Sequence, residues 1–306
     1  MSKIIILGCG YIGTNIANYI VEKYEEEVYV LGIYNEYNEY LNTNVKFVEK
    51  YIEQICDDDM NLFEDAIVID AVGNINATND TKSSSTLFLK NCSNKVELIK
   101  ILSDFKIKKY VFLSSGGTVY SDSIIPHKED EFLNPTNIYA LEKVIIENYL
   151  KIKALEDMSF KYLILRLSNP YGGIVSKNKH QGIIDVAINK IKNDEVLELY
   201  GSLKNVRDYI YIENLAEYIY KIVIFQEKNE IFNIGSGIGI SIEDALKTIE
   251  KIYGKKIKLK NKSINTFNIV SNVLDTNKIN RYVSNYKILS LEEGIKNDYK
   301  KNNNYK

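Results

Sequence analysis

The chain is poor in the residues that bind metals or form disulfides. Its 306 residues include three cysteines, Cys9, Cys56 and Cys92, at no repeating spacing, and two histidines, His127 and His180. An odd number of unpatterned cysteines predicts a reducing compartment, in which they pack as small apolar side chains. We therefore expect no disulfide and no metal site, and we assign neither histidine a ligand or catalytic role.

An excess of charge of either sign is also missing. The 39 basic residues are matched by 41 acidic ones, which leaves a formal net charge of −2. This balance argues against nucleic acid or an anionic membrane as the partner and favours a small-molecule substrate.

Long apolar runs are absent. No stretch approaches the roughly 20 residues that a membrane-spanning helix needs. Met1 leads directly into an apolar strand, without a basic leader segment. We expect a cytoplasmic protein without membrane contact. Its length favours one large α/β unit or two closely joined domains.

The first informative stretch is a strand, a glycine turn and a helix. Lys3–Leu7 is a continuous apolar run, typical of a parallel strand buried on both faces. The motif G-x-G-x-x-G follows at once and opens a helical pattern. Such glycines let the backbone approach a pyrophosphate, and the helix N-terminus offers N–H groups to the phosphates. A purely structural glycine turn is the alternative. The predicted dinucleotide-binding residues are Gly8, Gly10, Tyr11, Ile12 and Gly13.

Strands and helices continue to alternate after this turn. Apolar patterns predict strands at 27–31, 45–48, 66–73 and 109–113, and a helix at 84–104. Alternation of this kind predicts a doubly wound parallel α/β sheet of the Rossmann type. Ligands bind such sheets at the carboxyl ends of the strands. Val72 and Gly73 occupy one such end and Ser114 and Ser115 another, although serines there can also simply cap a turn.

The end of the second predicted strand departs from a usual dinucleotide site. Gly32 stands where a carboxylate commonly holds the adenosine ribose. Glu36 and Glu39 lie just downstream and are the alternatives for that contact. No arginine is placed to hold a 2′-phosphate, which favours NAD as the cofactor without excluding NADP.

Tyr139 and Lys143 stand four residues apart just inside a predicted long helix. Side chains at this spacing share one helix face, with Cβ atoms about 5–6 Å apart. A free tyrosine has a pKa of about 10, and a neighbouring cation favours the phenolate. Tyr139 is therefore a candidate general base. The alternative for the pair alone is a solvated helix face.

Together these motifs resemble the extended short-chain dehydrogenase/reductase family, and within it the nucleotide-sugar epimerases and dehydratases, which include UDP-galactose 4-epimerases. The resemblance spans nearly the whole chain. It rests on the glycine turn, Asn91, S-S-G-G-T-V-Y at 114–120, the Tyr139 and Lys143 pair, L-R-L-S-N-P-Y-G at 165–172, V-R-D-Y-I-Y-I at 206–212 and F-N-I-G-S-G at 232–237.

The resemblance implies a Rossmann domain with a smaller C-terminal α/β substrate domain. The dinucleotide-binding domain would cover residues 1–168, with 206–234 returning to it. The substrate-binding domain would comprise 169–205 and 235–306. Members of the family usually form a homodimer through two helices, which here would be those carrying Asn91 and Tyr139.

The resemblance also assigns roles to residues. Tyr139 would be the catalytic base and Lys143 the residue that lowers its pKa, with Ser115 or Thr118 as the hydroxyl that holds the sugar. The implied cofactor-binding residues are Gly8, Gly10, Tyr11, Ile12, Gly13, Val72, Gly73, Asn91, Ser114, Tyr139, Lys143 and Ser168. The implied substrate-binding residues are Ser115, Tyr139, Asn169, Gln181 and Arg207, of which Arg207 would bind the diphosphate.

Several positions depart from the family pattern. Gly116 occupies the position of the family's catalytic serine or threonine, so Ser115 or Thr118 would take that role. The Asp-Glu pair of the 4,6-dehydratases is replaced by Gly117 and Thr118, which argues against dehydration. In the cofactor site, Leu7 replaces the usual first glycine and Tyr51 replaces a common adenine-contacting aspartate.

The favoured hypothesis is an NAD-dependent 4-epimerase of a nucleotide sugar, with UDP as the expected nucleotide. Tyr139 would take the proton of the C4 hydroxyl while the cofactor takes the hydride, and the 4-keto sugar would turn before reduction on its other face. One alternative is a nucleotide-4-keto-sugar reductase. An alternative of another class is a catalytically weak dinucleotide-binding sensor or scaffold.

Overall fold

The computed structural model describes residues 2–73, 84–120, 125–176, 182–262, 269–283 and 286–303. Its strands are β1 (Lys3–Leu7), β2 (Glu27–Gly32), β3 (Lys46–Glu49), β4 (Ile67–Asp70), β5 (Lys109–Ser115), β6 (Tyr162–Leu167), β7 (Asn169–Tyr171), β8 (Val196–Tyr200), β9 (Val206–Tyr211), β10 (Glu230–Ile234), β11 (Gly239–Ser241), β12 (Lys258–Lys262) and β13 (Ser271–Asn272). Its α-helices are α1 (Tyr11–Lys23), α2 (Met60–Phe63), α3 (Ser84–Asp104), α4 (Ile138–Glu156), α5 (Ile183–Lys192), α6 (Ile212–Phe225), α7 (Ile242–Tyr253), α8 (Asn277–Asn280) and α9 (Leu291–Asn303).

A seven-stranded sheet organises the first part of the chain. Its strand order is β10-β6-β5-β4-β1-β2-β3, and every neighbouring pair is parallel. The carboxyl ends of these strands therefore lie along one edge, where doubly wound sheets bind ligands. The predicted Rossmann-type sheet is confirmed.

The strand sequences explain why the sheet is covered on both faces. Ile4 and Ile6 pack into one apolar cluster with α1 and α6, whereas Ile5 and Leu7 pack into a second cluster with α3 and α4. All four side chains are fully buried. An uninterrupted apolar run is what a strand needs when both of its faces are covered.

A smaller sheet and its helices form around β9. This strand pairs in parallel with β7 and β13 and antiparallel with β11, and β8 pairs with β12 nearby. Helices α5, α7 and α9 share one apolar cluster with these strands. The segment 206–234 is therefore divided: β9 belongs to the smaller sheet, whereas β10 joins the large one and α6 packs against α1. No helix in the described ranges is long and apolar enough to cross a membrane.

Strand β4 ends earlier than its sequence predicts. The apolar pattern extends to Gly73, but β4 stops at Asp70. The Asp70 carboxylate accepts hydrogen bonds from the Lys95 ammonium at 2.6 and 2.7 Å and from the Val72 amide at 3.1 Å. The Asp70 side chain thus accepts the hydrogen bond of the Val72 amide, and after Asp70 the chain turns away from the strand direction.

The glycine turn forms as predicted between β1 and α1. Gly8 has a φ of 101°, which favours glycine, and its amide donates to the Leu31 carbonyl at 2.7 Å. A Cβ atom at Gly13 would lie 2.1 Å from the Gly8 carbonyl oxygen, so α1 can approach the turn only with glycine at this position. At Gly10, in contrast, a Cβ would meet no atom within 4 Å.

These two glycines provide a matched test of the turn. Gly13→Ala should lower the free energy of unfolding by about 2 kcal/mol or more, because the added methyl meets backbone that cannot move aside. Gly10→Ala should change it by less than about 0.5 kcal/mol. Urea unfolding followed by circular dichroism measures both; equal stability of the two variants would contradict this packing.

Candidate active site

The carboxyl edge of the large sheet brings the predicted site residues onto neighbouring elements. The glycine turn follows β1, Val72 and Gly73 follow β4, and Ser115 ends β5 beside β6, after which come Ser168 and Asn169. The site is therefore assembled from segments that are far apart in sequence but adjacent in the sheet.

Tyr139 and Lys143 enter this edge from the first turns of α4. The helix is capped by Asn137, whose side chain accepts the Ala140 amide at 2.8 Å. The Lys143 ammonium is buried, donates to the Leu113 carbonyl at 3.1 Å and lies 5.5 Å from the centre of the Tyr139 ring. Lys143 is thus fixed to the end of β5 with its charge beside the half-buried tyrosine.

A buried ion pair ties the same helix to the sheet. Glu147 accepts hydrogen bonds from Arg166 Nη2 at 2.7 Å and Nε at 3.1 and 3.2 Å, and both residues are almost fully inaccessible. The Ser114 hydroxyl donates to Glu147 at 2.6 Å, and Arg166 Nη1 donates to the Tyr120 hydroxyl at 2.8 Å. Ser114, a predicted cofactor ligand, therefore uses its hydroxyl within the protein.

Sequence patterns gave no indication of a second buried ion pair, between Lys95 and Asp70. The Tyr110 hydroxyl also donates to Asp70, at 2.5 Å. Burial lowers the pKa of Lys95, while the Asp70 charge opposes that shift, and burial raises the pKa of Tyr110 well above its usual value. Lys95 holds the end of β4 next to Val72, the start of the segment predicted to face the cofactor.

Asn91 lies on the neighbouring turn of α3, close to α4. Its amide is buried and donates to the Glu142 carboxylate at 3.2 Å. A small cavity opens beside these side chains, and its lining residues are Ile52, Glu53, Val72, Asn91, Asn94, Lys95 and Glu142. Asn91 and Val72 thus share one cavity at the carboxyl edge.

At Gly32, the end of β2 packs closely on the glycine turn. A Cβ atom at Gly32 would lie 3.0 Å from the Cys9 amide nitrogen, which is tight packing against the glycine turn. Asn35, which the sequence did not single out, donates to the Cys9 carbonyl at 2.8 Å. Glu36 and Glu39, the predicted alternatives, lie on the 3₁₀ helix Glu36–Tyr40.

The predicted substrate residues lie around β7 and β9. The Asn169 amide donates to the Asp208 carbonyl at 2.9 Å, and Arg207 donates to the carbonyls of Val206 and Ile269 at 2.9 and 2.8 Å. Gln181 lies outside the described residues. Asp208 is fully buried, and burial raises its pKa although four hydrogen bonds from Ser236, Gly237 and Leu274 partly offset that effect.

Three hydroxyls near the strand ends differ in accessibility. As residues, Ser115 at the end of β5 and Thr118 three positions later are both half-buried. The oxygens of Thr118 and Ser168 are buried and have no hydrogen-bond partner within the described part of the chain. For both Thr118 and Ser168, an unsatisfied buried hydroxyl at the carboxyl edge fits a position that faces a polar ligand.

The geometry at the glycine turn fits a dinucleotide. The exposed Gly10 leaves open space where a side chain would stand, and the first N–H groups of α1 lack partners within the helix. The Tyr11 hydroxyl donates to the Gly172 carbonyl at 2.9 Å, which joins the turn to the segment after β7.

A parallel doubly wound sheet, a glycine turn and a Tyr-x-x-x-Lys pair at its carboxyl edge define a protein of the short-chain dehydrogenase/reductase class. Comparison with family models makes this assignment specific. Residues 4–235 match the NAD dependent epimerase/dehydratase family, and the chain belongs to that family.

Individual relatives include both reductases and epimerases. The dTDP-4-dehydro-6-deoxyglucose reductase of Escherichia coli is 40% identical over 168 residues, which are 55% of this chain and 53% of the reductase, so the match spans about half of that relative. The UDP-glucose 4-epimerase of Bacillus subtilis is 26% identical over 295 residues, 84% of each chain.

Solved structures share the whole fold. The UDP-glucose 4-epimerase of Thermotoga maritima with UDP-glucose has a TM-score of 0.86 at 23% identity, covering 99% of each chain. The UDP-glucuronic acid 4-epimerase of Bacillus cereus, with UDP-glucuronic acid and NAD, has a TM-score of 0.86 at 19% identity, covering 99% of this chain and 100% of that one.

Removing one partner of the Glu147–Arg166 pair should be costly. Glu147→Ala should lower the free energy of unfolding by about 3–5 kcal/mol, because it leaves the Arg166 charge buried and uncompensated. The double variant Glu147→Leu/Arg166→Met should lose less than the single variant, since it removes both charges. Urea unfolding compares the three proteins; a Glu147→Ala protein as stable as wild type would contradict the role of this pair.

Proposed function

We propose that the protein is an NAD-dependent nucleotide-sugar epimerase that interconverts UDP-hexoses at C4. The observation that carries this proposal is the position of the buried Lys143 ammonium, 5.5 Å from the centre of the Tyr139 ring at the carboxyl edge of the large sheet. The match of residues 4–235 to the epimerase/dehydratase family supports it. The epimerases among its relatives and structural neighbours support the choice of reaction.

The chain's own residues would manage the proton and the position of the sugar. Tyr139 would remove the proton from the C4 hydroxyl and return it after the 4-keto sugar has turned in the site. Lys143 places a fixed positive charge beside the phenol, where it stabilises negative charge on Tyr139. NAD, when bound, supplies the oxidation and reduction at C4. The half-buried setting of Tyr139 limits the access of water to the proton transfer.

The cofactor would lie on the glycine turn. Gly8, Gly10, Tyr11, Ile12 and Gly13 would hold its pyrophosphate through backbone N–H groups and the start of α1. The rest of the cofactor would contact Val72, Gly73, Asn91 and Ser168 along the carboxyl edge of the large sheet.

The nucleotide sugar would lie between the large sheet and β9. Arg207 would bind the diphosphate, because its fork of donors matches phosphate oxygens and it lies on β9, the strand that pairs with β7 next to Asn169. Asn169 and Gln181 would contact the sugar region. The structures with UDP-glucose and UDP-glucuronic acid support UDP as the nucleotide.

A nucleotide-4-keto-sugar reductase is the second candidate. It is favoured by one observation, the 40% identity to the Escherichia coli reductase over 168 residues. A reductase would use the same Tyr139 and Lys143 but only once in each turnover. It would also exchange its reduced cofactor with solution, whereas an epimerase keeps NAD bound.

We also infer a cytoplasmic homodimer that joins through α3 and α4. These helices pack against each other, and α4 carries an exposed apolar row of Leu141, Ile145, Ile152 and Leu155. Their exposed fractions rise from 39% and 36% at the first two to 53% and 78% at the last two. An apolar row of this length on a soluble enzyme is typical of an interface between subunits.

Cofactor content and one substitution test the epimerase. Protein purified without added cofactor should release about one equivalent of NAD(H) on denaturation and should interconvert at least one pair of UDP-hexoses. Tyr139→Phe should lower kcat by about 10²- to 10⁴-fold with unchanged NAD content, because only the proton-transfer group is lost. Tyr149→Phe, on the same helix, is the matched control and should retain activity.

The other outcomes distinguish the alternatives. An empty protein that oxidises NADPH in the presence of a 4-keto nucleotide sugar would favour the reductase. A protein that binds neither NAD nor NADP would contradict both enzymes, and full turnover by Tyr139→Phe would remove Tyr139 from the reaction.

The dimer makes a separate prediction. Leu155→Glu should convert the dimer to a monomer, because a carboxylate would be buried in the apolar interface. Phe225→Glu changes a comparably exposed apolar residue at the end of α6 and should leave the dimer intact. Light scattering coupled to size exclusion gives the molar masses; a monomeric wild-type protein would refute the assembly.

A further inference from the structure

The segment 172–174, which follows β7, is held by side chains and not by a helix or a strand. Gly172 donates from its amide to the Asp185 carboxylate at 2.9 Å, and Gly173 donates to the Asp298 carboxylate at 3.1 Å. Asp185 lies on α5 and Asp298 on α9, the helices that pack on the smaller sheet. These contacts join the segment to the part of the molecule that is built around β9.

Asn15 on α1 binds the same segment from the side of the large sheet. Its side-chain amide donates to the Ile174 carbonyl at 2.9 Å, and its side-chain oxygen accepts the Ile174 amide at 2.9 Å. The same NH₂ group donates to the carbonyl of Tyr11, the first residue of the helix, at 2.8 Å. One buried side chain thus joins the start of α1 to the segment after β7.

Two further contacts come from elements beside the predicted dinucleotide site. The Tyr11 hydroxyl donates to the Gly172 carbonyl at 2.9 Å, and the Ser176 amide donates to the Tyr37 hydroxyl at 3.2 Å. Tyr37 lies on the 3₁₀ helix after β2. The glycine turn and the loop after β2 therefore both contact the chain that follows β7.

Glycine at 172 and 173 allows these helices to come so close. Gly172 has a φ of 83° and Gly173 a φ of 70°, a backbone conformation that glycine adopts readily. A Cβ atom on Gly172 would lie 2.6 Å from the Tyr211 ring, and one on Gly173 would lie 2.5 Å from Asn15 Oδ1. The segment is therefore packed closely against both parts of the molecule.

Residues 172–174 continue directly from β7, which carries a predicted substrate residue. Asn169 pairs with Tyr209 on β9, and its side chain donates to the Asp208 carbonyl at 2.9 Å. Arg207 lies one residue earlier on the same strand. The position of the segment relative to α1 therefore sets the position of the predicted substrate residues relative to the glycine turn.

We propose that Asn15 is a positioning residue that couples the two ligand sites, so that a dinucleotide at the glycine turn raises the affinity for the nucleotide part of the substrate. This inference rests on the proposed function and adds a connection between its two ligands. A pyrophosphate held by the N–H groups at the start of α1 orders the turn that carries Asn15. Asn15 then holds residues 172–174, and with them β7 and β9, where Asn169 and Arg207 meet the nucleotide sugar. The coupling is reciprocal by thermodynamic linkage.

Asn18 offers a matched control on the same helix. It is 7% exposed, against 8% for Asn15. Its side chain also binds a neighbouring segment twice, because it donates to the Tyr40 carbonyl at 2.7 Å and accepts the Asn42 amide at 2.9 Å. Residues 40–42 lie between β2 and β3 of the large sheet, so Asn18→Ala removes similar hydrogen bonds without cutting the connection to the smaller sheet.

The affinity for UDP, measured by titration calorimetry with NAD bound and after its removal, tests the coupling. In wild type, NAD should raise this affinity about 5-fold or more. In Asn15→Ala the ratio of the two affinities should fall below about 2, whereas Asn18→Ala should keep the wild-type ratio. Both variants should melt at lower temperature, because each loses hydrogen bonds to buried backbone. A purely structural role would therefore lower the melting temperature and leave the ratio unchanged.

Hydrogen–deuterium exchange gives a second readout, which does not depend on the identity of the nucleotide. NAD should slow exchange in α1 and also in α5 and α9 of the wild type, because the two helices hold residues 172–174. Asn15→Ala should keep the effect in α1 and lose it in α5 and α9, whereas Asn18→Ala should resemble wild type. Tyr11→Phe, a milder change that removes the hydroxyl bound to Gly172, should lose part of it.

The coupling and the proposed function fail in different ways. Equal UDP affinities of wild type with and without NAD, or an unchanged ratio in Asn15→Ala, would refute the coupling alone. Protection of α5 and α9 by NAD that is as strong in Asn15→Ala as in wild type would also refute it. A wild-type protein that binds NAD but neither UDP nor any UDP-hexose would instead refute the proposed nucleotide-sugar function.

Discussion

The Glu147–Arg166 ion pair is the contact on which the geometry of the site depends. It joins the helix that carries Tyr139 and Lys143 to β6, and through Ser114 it also joins that helix to the end of β5. Burying two charges is expensive, and the cost is offset only when hydrogen bonds satisfy both groups. Here Glu147 accepts from Ser114 as well as from Arg166, and Arg166 also donates to Tyr120. Because of this pair, α4 has little freedom to slide along the sheet. Tyr139 is therefore kept in place over the strand ends.

Polar networks occupy the carboxyl edge of the sheet, whereas the strand interiors are apolar. The Lys95–Asp70 pair fixes the last residues of β4. The Glu147–Arg166 pair does the same for the ends of β5 and β6, so both pairs lie where a ligand would approach. Apolar packing holds a strand in a layer but does not specify the path of the chain beyond the strand. Buried, fully satisfied charges specify that path, because only one arrangement of donors and acceptors satisfies them.

The sequence indicates the architecture well and these networks poorly. Central strands are readable because burial on both faces demands continuous apolar runs, and the glycine turn and the Tyr139–Lys143 pair depend on residues close in sequence. The early end of β4 and the use of Ser114 were not predictable in the same way. Both depend on partners more than 20 residues away, Lys95 for Asp70 and Glu147 for Ser114. Local periodicity carries no information about such pairings.

The same physical view applies to the two glycines that depart from the family pattern. At Gly32 a Cβ would press on the Cys9 amide, and at Gly116 it would press on Leu274. Each backbone nearby also receives an asparagine amide, from Asn35 to the Cys9 carbonyl and from Asn272 to the Gly116 carbonyl. Both departures are therefore accommodated within the fold, since at each place the backbone is closely packed and its neighbouring carbonyl accepts a side-chain hydrogen bond.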